Sequence, residues 1–179
     1  MADVPMLRTK VKQLLYRSLN VDQETIVRDL EFAFATWEIS DIGTEKLASR
    51  SIDPEEQELK DYLLGLENWR DCEDRWLQQF QLPLMPEWAF KYLLPAILRF
   101  SMRGTSVDDV FISSLINRFS KLPKANQRIV LNIQPSWFSE VQSRSILNTL
   151  AHLKSEMADI PGRLPNHLEN IISEFRREG

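Results

Sequence analysis

One cysteine, Cys72, stands in the whole chain, so no internal disulfide can close. A protein that spends cysteine this sparingly reads as reduced and cytoplasmic. Histidine is nearly as scarce, with only His152 and His167. His152 and Glu156 lie four apart and would share a helix face. Two ligands do not make a metal site, and no third has telling spacing, so no metal is expected. Only five glycines occur in 179 residues, and no Gly-rich phosphate loop is present. Neither GxSxG nor HExxH occurs. There is no run of about 18 apolar residues, so no membrane-spanning helix is expected. The first twenty residues are basic and amphipathic, without the apolar core and cleavage site of a signal peptide. These absences leave no catalytic residue, metal or cofactor to assign.

What the chain does have is helical periodicity. Its composition, 43% hydrophobic and 27% charged, suits one soluble globular domain over residues 1–179 with a real core. Leu7, Val11, Leu14, Leu15 and Leu19 make one helical stripe. Ile26, Leu30, Ala33, Phe34 and Trp37 make another. Residues 38–52 lose the pattern and read as a loop. Asp53 followed by Pro54, Glu55 and Glu56 is a strong helix start: a capping carboxylate, a proline that needs no partner, and acids at the positive end of the dipole. Leu59, Tyr62, Leu63 and Leu66 would form the buried face. A second helix from about Asn68 would carry Trp69, Cys72, Trp76 and Phe80 inward, completing an acidic helical hairpin over residues 53–76.

The most apolar stretch is LPLMPEWAFKYLLPAILRFSMRG, residues 82–104. Residues 86–103 read as a central helix, apolar nearly all round and therefore buried on most sides. Pro95 lies in its middle, where it removes a hydrogen bond and clashes with the carbonyl of Lys91, bending the axis. The expectation is an all-α, single compact multi-helix domain around a buried, Pro-kinked central helix. A later helix, capped by Thr105 or Ser106, would turn Val110, Phe111, Leu115, Ile116 and Phe119 inward. RIVLNI, residues 128–133, is the one stretch that could be a strand; lacking a partner, it reads as helix or extended loop. Ser139 would cap a long helix with Val141, Ile146, Leu147, Leu150 and Leu153 inward. PGRLP is a break, and Leu168, Ile171, Ile172 and Phe175 mark a last short helix.

PEWAFKYLLPA, residues 86–96, resembles a motif of an uncharacterised family of small bacterial proteins. The motif runs roughly Pro-Glu-small-aromatic-x-Tyr-Tyr-Leu-Pro-Ala before an apolar helix. Pro86, Glu87, Ala89, Phe90, Tyr92, Leu94, Pro95 and Ala96 carry the likeness; Trp88 and Leu93 depart from it. LEFAFATWE resembles the family's early Ala-Phe helix, LENWRDC its Trp-containing segment, and FSEVQSRSILNTLAHL its later Phe-Ser-x-x-Gln helix. The likeness spans residues 26–153. It implies a compact helical bacterial domain and brings no established activity.

Charge is the remaining signal. The net charge of −4 conceals an acidic block: residues 21–75 carry sixteen acids against six bases. Such a block argues against duplex nucleic acid as a partner, because phosphate neutralisation needs Lys and Arg. It fits a basic protein partner. The candidate partner-binding residues are Glu55, Glu56, Glu58, Asp61, Glu67, Asp71, Glu73 and Asp74, all off the apolar stripes. Cys72, flanked by Asp71 and Glu73, is expected to be an inert core thiol, since nearby negative charge disfavours thiolate.

These residues point to a non-enzymatic intracellular interaction protein. The natural case is a bacterial immunity protein or antitoxin that neutralises a basic toxin through the acidic helical face. A structural or regulatory helical module, its acids only solvating it, is the alternative. An enzyme whose site assembles from dispersed acids is the second alternative. The fold expectation is checked by circular dichroism: a helical spectrum is expected, and strand content above about a fifth of residues, the average for soluble domains, would overturn it.

Overall fold

The computed structural model of the protein describes residues 23–38, 47, 50–79, 81–103, 109–120, 130–157 and 164–178. Among them are seven α-helices and no sheet: α1 (23–33), α2 (Pro54–Leu64), α3 (Asp74–Gln79), α4 (Glu87–Ser101), α5 (Asp109–Phe119), α6 (Glu140–Glu156) and α7 (Leu164–Glu178). Short 3₁₀ turns at Trp69–Asp71, Leu82–Leu84 and Pro135–Trp137 join some of them. The stripe at residues 7–19, the Thr105 or Ser106 cap and most of the loop at 38–52 lie outside the described residues.

The helices start where capping chemistry dictates. Asp53 accepts a hydrogen bond from the Glu55 N–H at 2.9 Å, with Pro54 in the first turn of α2. Ser139 and Gln142 cap α6 reciprocally, each side chain accepting from the other's backbone N–H. Pro86 precedes α4, and Glu87 opens it. α7 begins at Leu164, so Pro165, assigned above to the PGRLP break, lies in its first turn, where a missing N–H costs nothing. The helix spans fifteen residues and is not short.

α4 is the centre of the core. Twelve of its fifteen residues are buried. It packs against α3, α6 and the Trp69–Asp71 turn. The helix runs uninterrupted through Pro95. Proline leaves the Lys91 carbonyl without its usual partner. At the next carbonyl, that of Tyr92, the Trp37 indole N–H donates a hydrogen bond at 3.1 Å. The backbone beside the proline is thereby tied to the segment that follows α1 by a contact 55 residues distant in sequence.

Aromatic edges join the outer helices to this centre. Phe90 meets Phe119 of α5 edge-on, with ring centroids 6.5 Å apart, and Phe100 meets Phe111 at 4.9 Å. Phe34 and Trp37 both pack against Phe138, just before α6. α6 and α7 pack along each other, and Lys154 pairs with Glu169 across them.

Two expectations need correction. Trp69 and Cys72 do not share a continuous helix with Trp76. Asn68 accepts from the Arg70 N–H while the Asp71 carboxylate accepts from the Asn68 N–H, closing a single 3₁₀ turn. Cys72 then takes an extended conformation, and a new helix begins at Asp74. The side chain of Phe80 lies outside the described residues. Val110 and Val141 are not inward: they are 72% and 53% exposed. Each sits five residues before a core residue, Leu115 or Ile146, and so about 140° round the helix from it. The described part of RIVLNI is extended, with one isolated bridge between Leu131 and Ser120 and a hydrogen bond from the Asn132 N–H to the Phe119 carbonyl.

His167, in the first half of α7, is buried with its Nε2 3.2 Å from the Ser120 hydroxyl. Its Nδ1 has no hydrogen-bond partner among the described residues. Burial pushes its pKa below the ordinary 6.5. The unfolded chain therefore takes up this proton first on acidification. Its contribution to stability is present above about pH 6.5 and is lost as pH falls through and below that value. Denaturant melts from pH 8 to pH 5 should show this loss, and His167→Gln should flatten it. Phe90→Ala, at a fully buried site, should cost about 3–5 kcal/mol in the same melts. A loss under roughly 1 kcal/mol would remove Phe90 from the core.

Candidate functional site

α2 buries Leu59, Lys60 and Leu63; of its acids, Glu55, Glu58 and Asp61 are exposed and Glu56 is half-buried. The eight acids do not behave alike. Glu56 accepts from the Ser51 hydroxyl at 2.7 Å and pairs with Lys60 at 3.4 Å. The Ser51 bond, more than Lys60, holds its pKa below the ordinary carboxylate value. Lys60 itself is almost wholly buried, with its side chain 4% exposed. Asp61 accepts from the Gln57 amide at 2.8 Å. Asp71 is used in the 3₁₀ turn. Glu73 is 3.6 Å from Arg75, with both side chains exposed. Asp74 is half-buried and pairs with Arg103, which follows α4. Glu55, Glu58 and Glu67 are exposed, and their carboxylates have no hydrogen bond or ion pair among the described residues. Local structure therefore engages five of the eight acids and leaves three to solvent.

The two arms of the acidic face are fastened together by aromatic stacking. Tyr62 of α2 lies against Trp76 of α3, with centroids 4.1 Å apart and rings 5° from parallel. The Tyr62 hydroxyl accepts from the Glu73 N–H at 3.0 Å, and burial pushes its pKa up to about 12. Beside this stack lies a groove of about 220 Å³, lined by Glu55, Glu58, Trp76, Gln79, Gln81 and Leu84. Two of the three unengaged acids thus meet an indole at one concavity. A cation there would meet carboxylate charge and an aromatic wall together. Glu67 does not line it.

Sequence reasoning missed the glutamines and Leu84 at this groove. The signal was present in the run QQFQLPL, where polar side chains precede Pro83 and an exposed leucine. It also missed Arg99, visible only as a cation within an apolar helix. Arg99 is buried, and one of its terminal nitrogens donates to the carbonyls of Arg70 and Cys72 at 3.0 and 3.3 Å. The other lies 3.8 Å from the Glu31 carboxylate, and the guanidinium stands over the Trp69 ring at 5.3 Å. Its role is to fasten the segment carrying the acids to α4 and α1.

Cys72 is buried, and its thiol is pushed up to about 11. Burial is the main cause. Of the two flanking acids invoked from sequence, Glu73 adds a little and Asp71 does not contribute; Asp74 also raises it, while Tyr62 and Arg99 oppose them. Among the described residues no three His, Cys, Asp or Glu side chains could hold a metal ion together. No helix among them is long and apolar enough to cross a membrane.

Comparison with family models, with curated proteins and with solved structures finds no match. The chemistry of the groove therefore rests on its own geometry. Cys72 should react with a thiol reagent only as the protein unfolds, its labelling rate rising with denaturant in step with unfolding. Rapid labelling of the native protein would contradict a buried, protonated thiol.

Proposed function

We propose that the chain is a non-enzymatic interaction protein that binds a basic protein partner through the open part of its acidic face. The observation that carries this reading is the meeting of Glu55, Glu58 and Trp76 at one groove. An acidic helix that only needed solvation would not have to place unpaired carboxylates around an indole. The charge block also attracts a basic partner at long range and speeds its encounter. An immunity protein or antitoxin acting on a cationic toxin is the specific case that this charge fits. Membership of the bacterial family that PEWAFKYLLPA resembles is part of the proposal, and so is cytoplasmic location. A bend of α4 at Pro95 belongs to it too, since a bent axis would follow a curved shell of neighbours.

The eight candidate acids separate into two groups under this reading. Glu55, Glu58 and Glu67 are the contacts. Glu56, Asp61, Asp71 and Asp74 hold the face in shape, and Glu73 shares its charge with Arg75. The test is a triple variant, Glu55→Lys, Glu58→Lys and Glu67→Lys. All three side chains are exposed, and because Glu55 also lies in the first turn of α2, where an acid favours the helix dipole, the variant's thermal transition should fall by no more than a few degrees. Association with a basic partner captured from the source cells should slow by about tenfold at low salt and lose most of its salt dependence. An unchanged rate and salt dependence would place the binding surface elsewhere.

A further inference from the structure

A second groove, of about 260 Å³, adjoins the acidic one. Gln79 and Gln81 line both. The far end of this second groove has different chemistry: Pro83, Val110 and Phe111, with Ser114 the remaining polar contribution from α5. We infer that the two grooves form one channel that seats an extended segment of the partner, with a basic side chain between Glu55 and Glu58 and an apolar side chain against Val110 and Phe111. This rests on the acidic-face reading and names the part of the partner that it would grip.

Four observations support a single occupant of this kind. Charge complementarity decides the first end, where two unpaired carboxylates and the Trp76 ring suit a guanidinium or ammonium group. Trp76 is held in place by its stack on Tyr62, so the wall is formed before anything binds. An exposed apolar side chain decides the other end: Val110 is 72% exposed and lines the second groove. Between the ends, Gln79 and Gln81 are exposed and their side chains have no hydrogen bond among the described residues, and Gln81 does not cap the turn that follows it. A glutamine amide both donates and accepts, so this pair can bond the N–H and C=O groups of an extended backbone whatever its side chains. The floor is firm, because Leu82 is buried and the Leu82–Leu84 turn packs against α5.

The experiment is selection from a phage-displayed library of random peptides, each roughly a dozen residues long, on the immobilised full chain. The selected peptides are then synthesised and titrated by fluorescence anisotropy. The expected peptides share one Arg or Lys and one large apolar residue at a single fixed spacing. Val110→Glu, a change at an exposed site, should weaken them about tenfold while its thermal transition stays in place. Glu58→Lys should weaken them by a similar factor. Replacing the peptide's apolar residue by Ala should weaken binding to the parent but add nothing in the Val110→Glu protein, the sign of a direct contact. Basic peptides with no apolar preference, sensitive to Glu58→Lys but indifferent to Val110→Glu, would overturn the channel and leave the acidic-face reading standing. Selected peptides indifferent to both variants, or no selection above background, would overturn both.

Discussion

A helix buried on nearly every side must satisfy its backbone without water, and α4 contains a proline that makes this harder. The fold depends on how that constraint is met. The Trp37 indole reaches the Tyr92 carbonyl, one position along from the carbonyl that Pro95 leaves without its usual partner. The Trp69 indole reaches the Phe34 carbonyl at 2.9 Å, just beyond α1. Two indoles therefore bind the segment after α1 to the central helix and to the turn before α3. Each supplies a large apolar body and one directed donor, the combination needed where backbone groups are sealed in a core.

Arg99 continues the same arrangement with a charge. A buried guanidinium is tolerated only if its donors and charge are answered. Here two carbonyls, a carboxylate and an indole face answer the charge and the terminal nitrogens, while the buried Nε has no hydrogen-bond partner among the described residues. The carbonyls belong to Arg70 and Cys72, the hinge between the 3₁₀ turn and α3. The position of α3 relative to α2, and hence the shape of the acidic face, follows from a side chain on the central helix. Asp74 and Arg103 tie the same segment to the residues after α4.

This has a consequence for the surface. Carboxylates that fasten segments together are half-used and offer little to a partner. Of the three that fasten nothing, Glu55 and Glu58 lie at a groove. An even count of acids along the sequence hides this division, because electrostatic availability depends on what stands within about 4 Å of each oxygen.

Much was legible in the chain itself. The Asp53-Pro54 start, the Ser139 cap, the burial of residues 89–101 and the inward stripe of α7 all follow from local rules: capping geometry, and a 3.6-residue period that turns apolar side chains to one face. The acids were legible too, as side chains off those stripes. What local rules do not contain is the partner of each polar group. Asn68 and Asp71 broke a stripe that looked continuous, Val110 and Val141 fell outside the stripes, and five of eight acids found local partners. The groove required α2, α3 and the Leu82–Leu84 turn to be brought side by side, and Arg99 showed its purpose only when Trp69 and Glu31 closed on it. Periodicity is a property of neighbours a few residues apart, so the sequence determined the helices and their buried faces. Hydrogen bonds and ion pairs reach only about 3–4 Å through space. Four of the five engaged acids find their partners within five residues along the chain, so what the tertiary structure decided is the pairing of Asp74 with Arg103 and the meeting of Glu55, Glu58 and Trp76 at one groove.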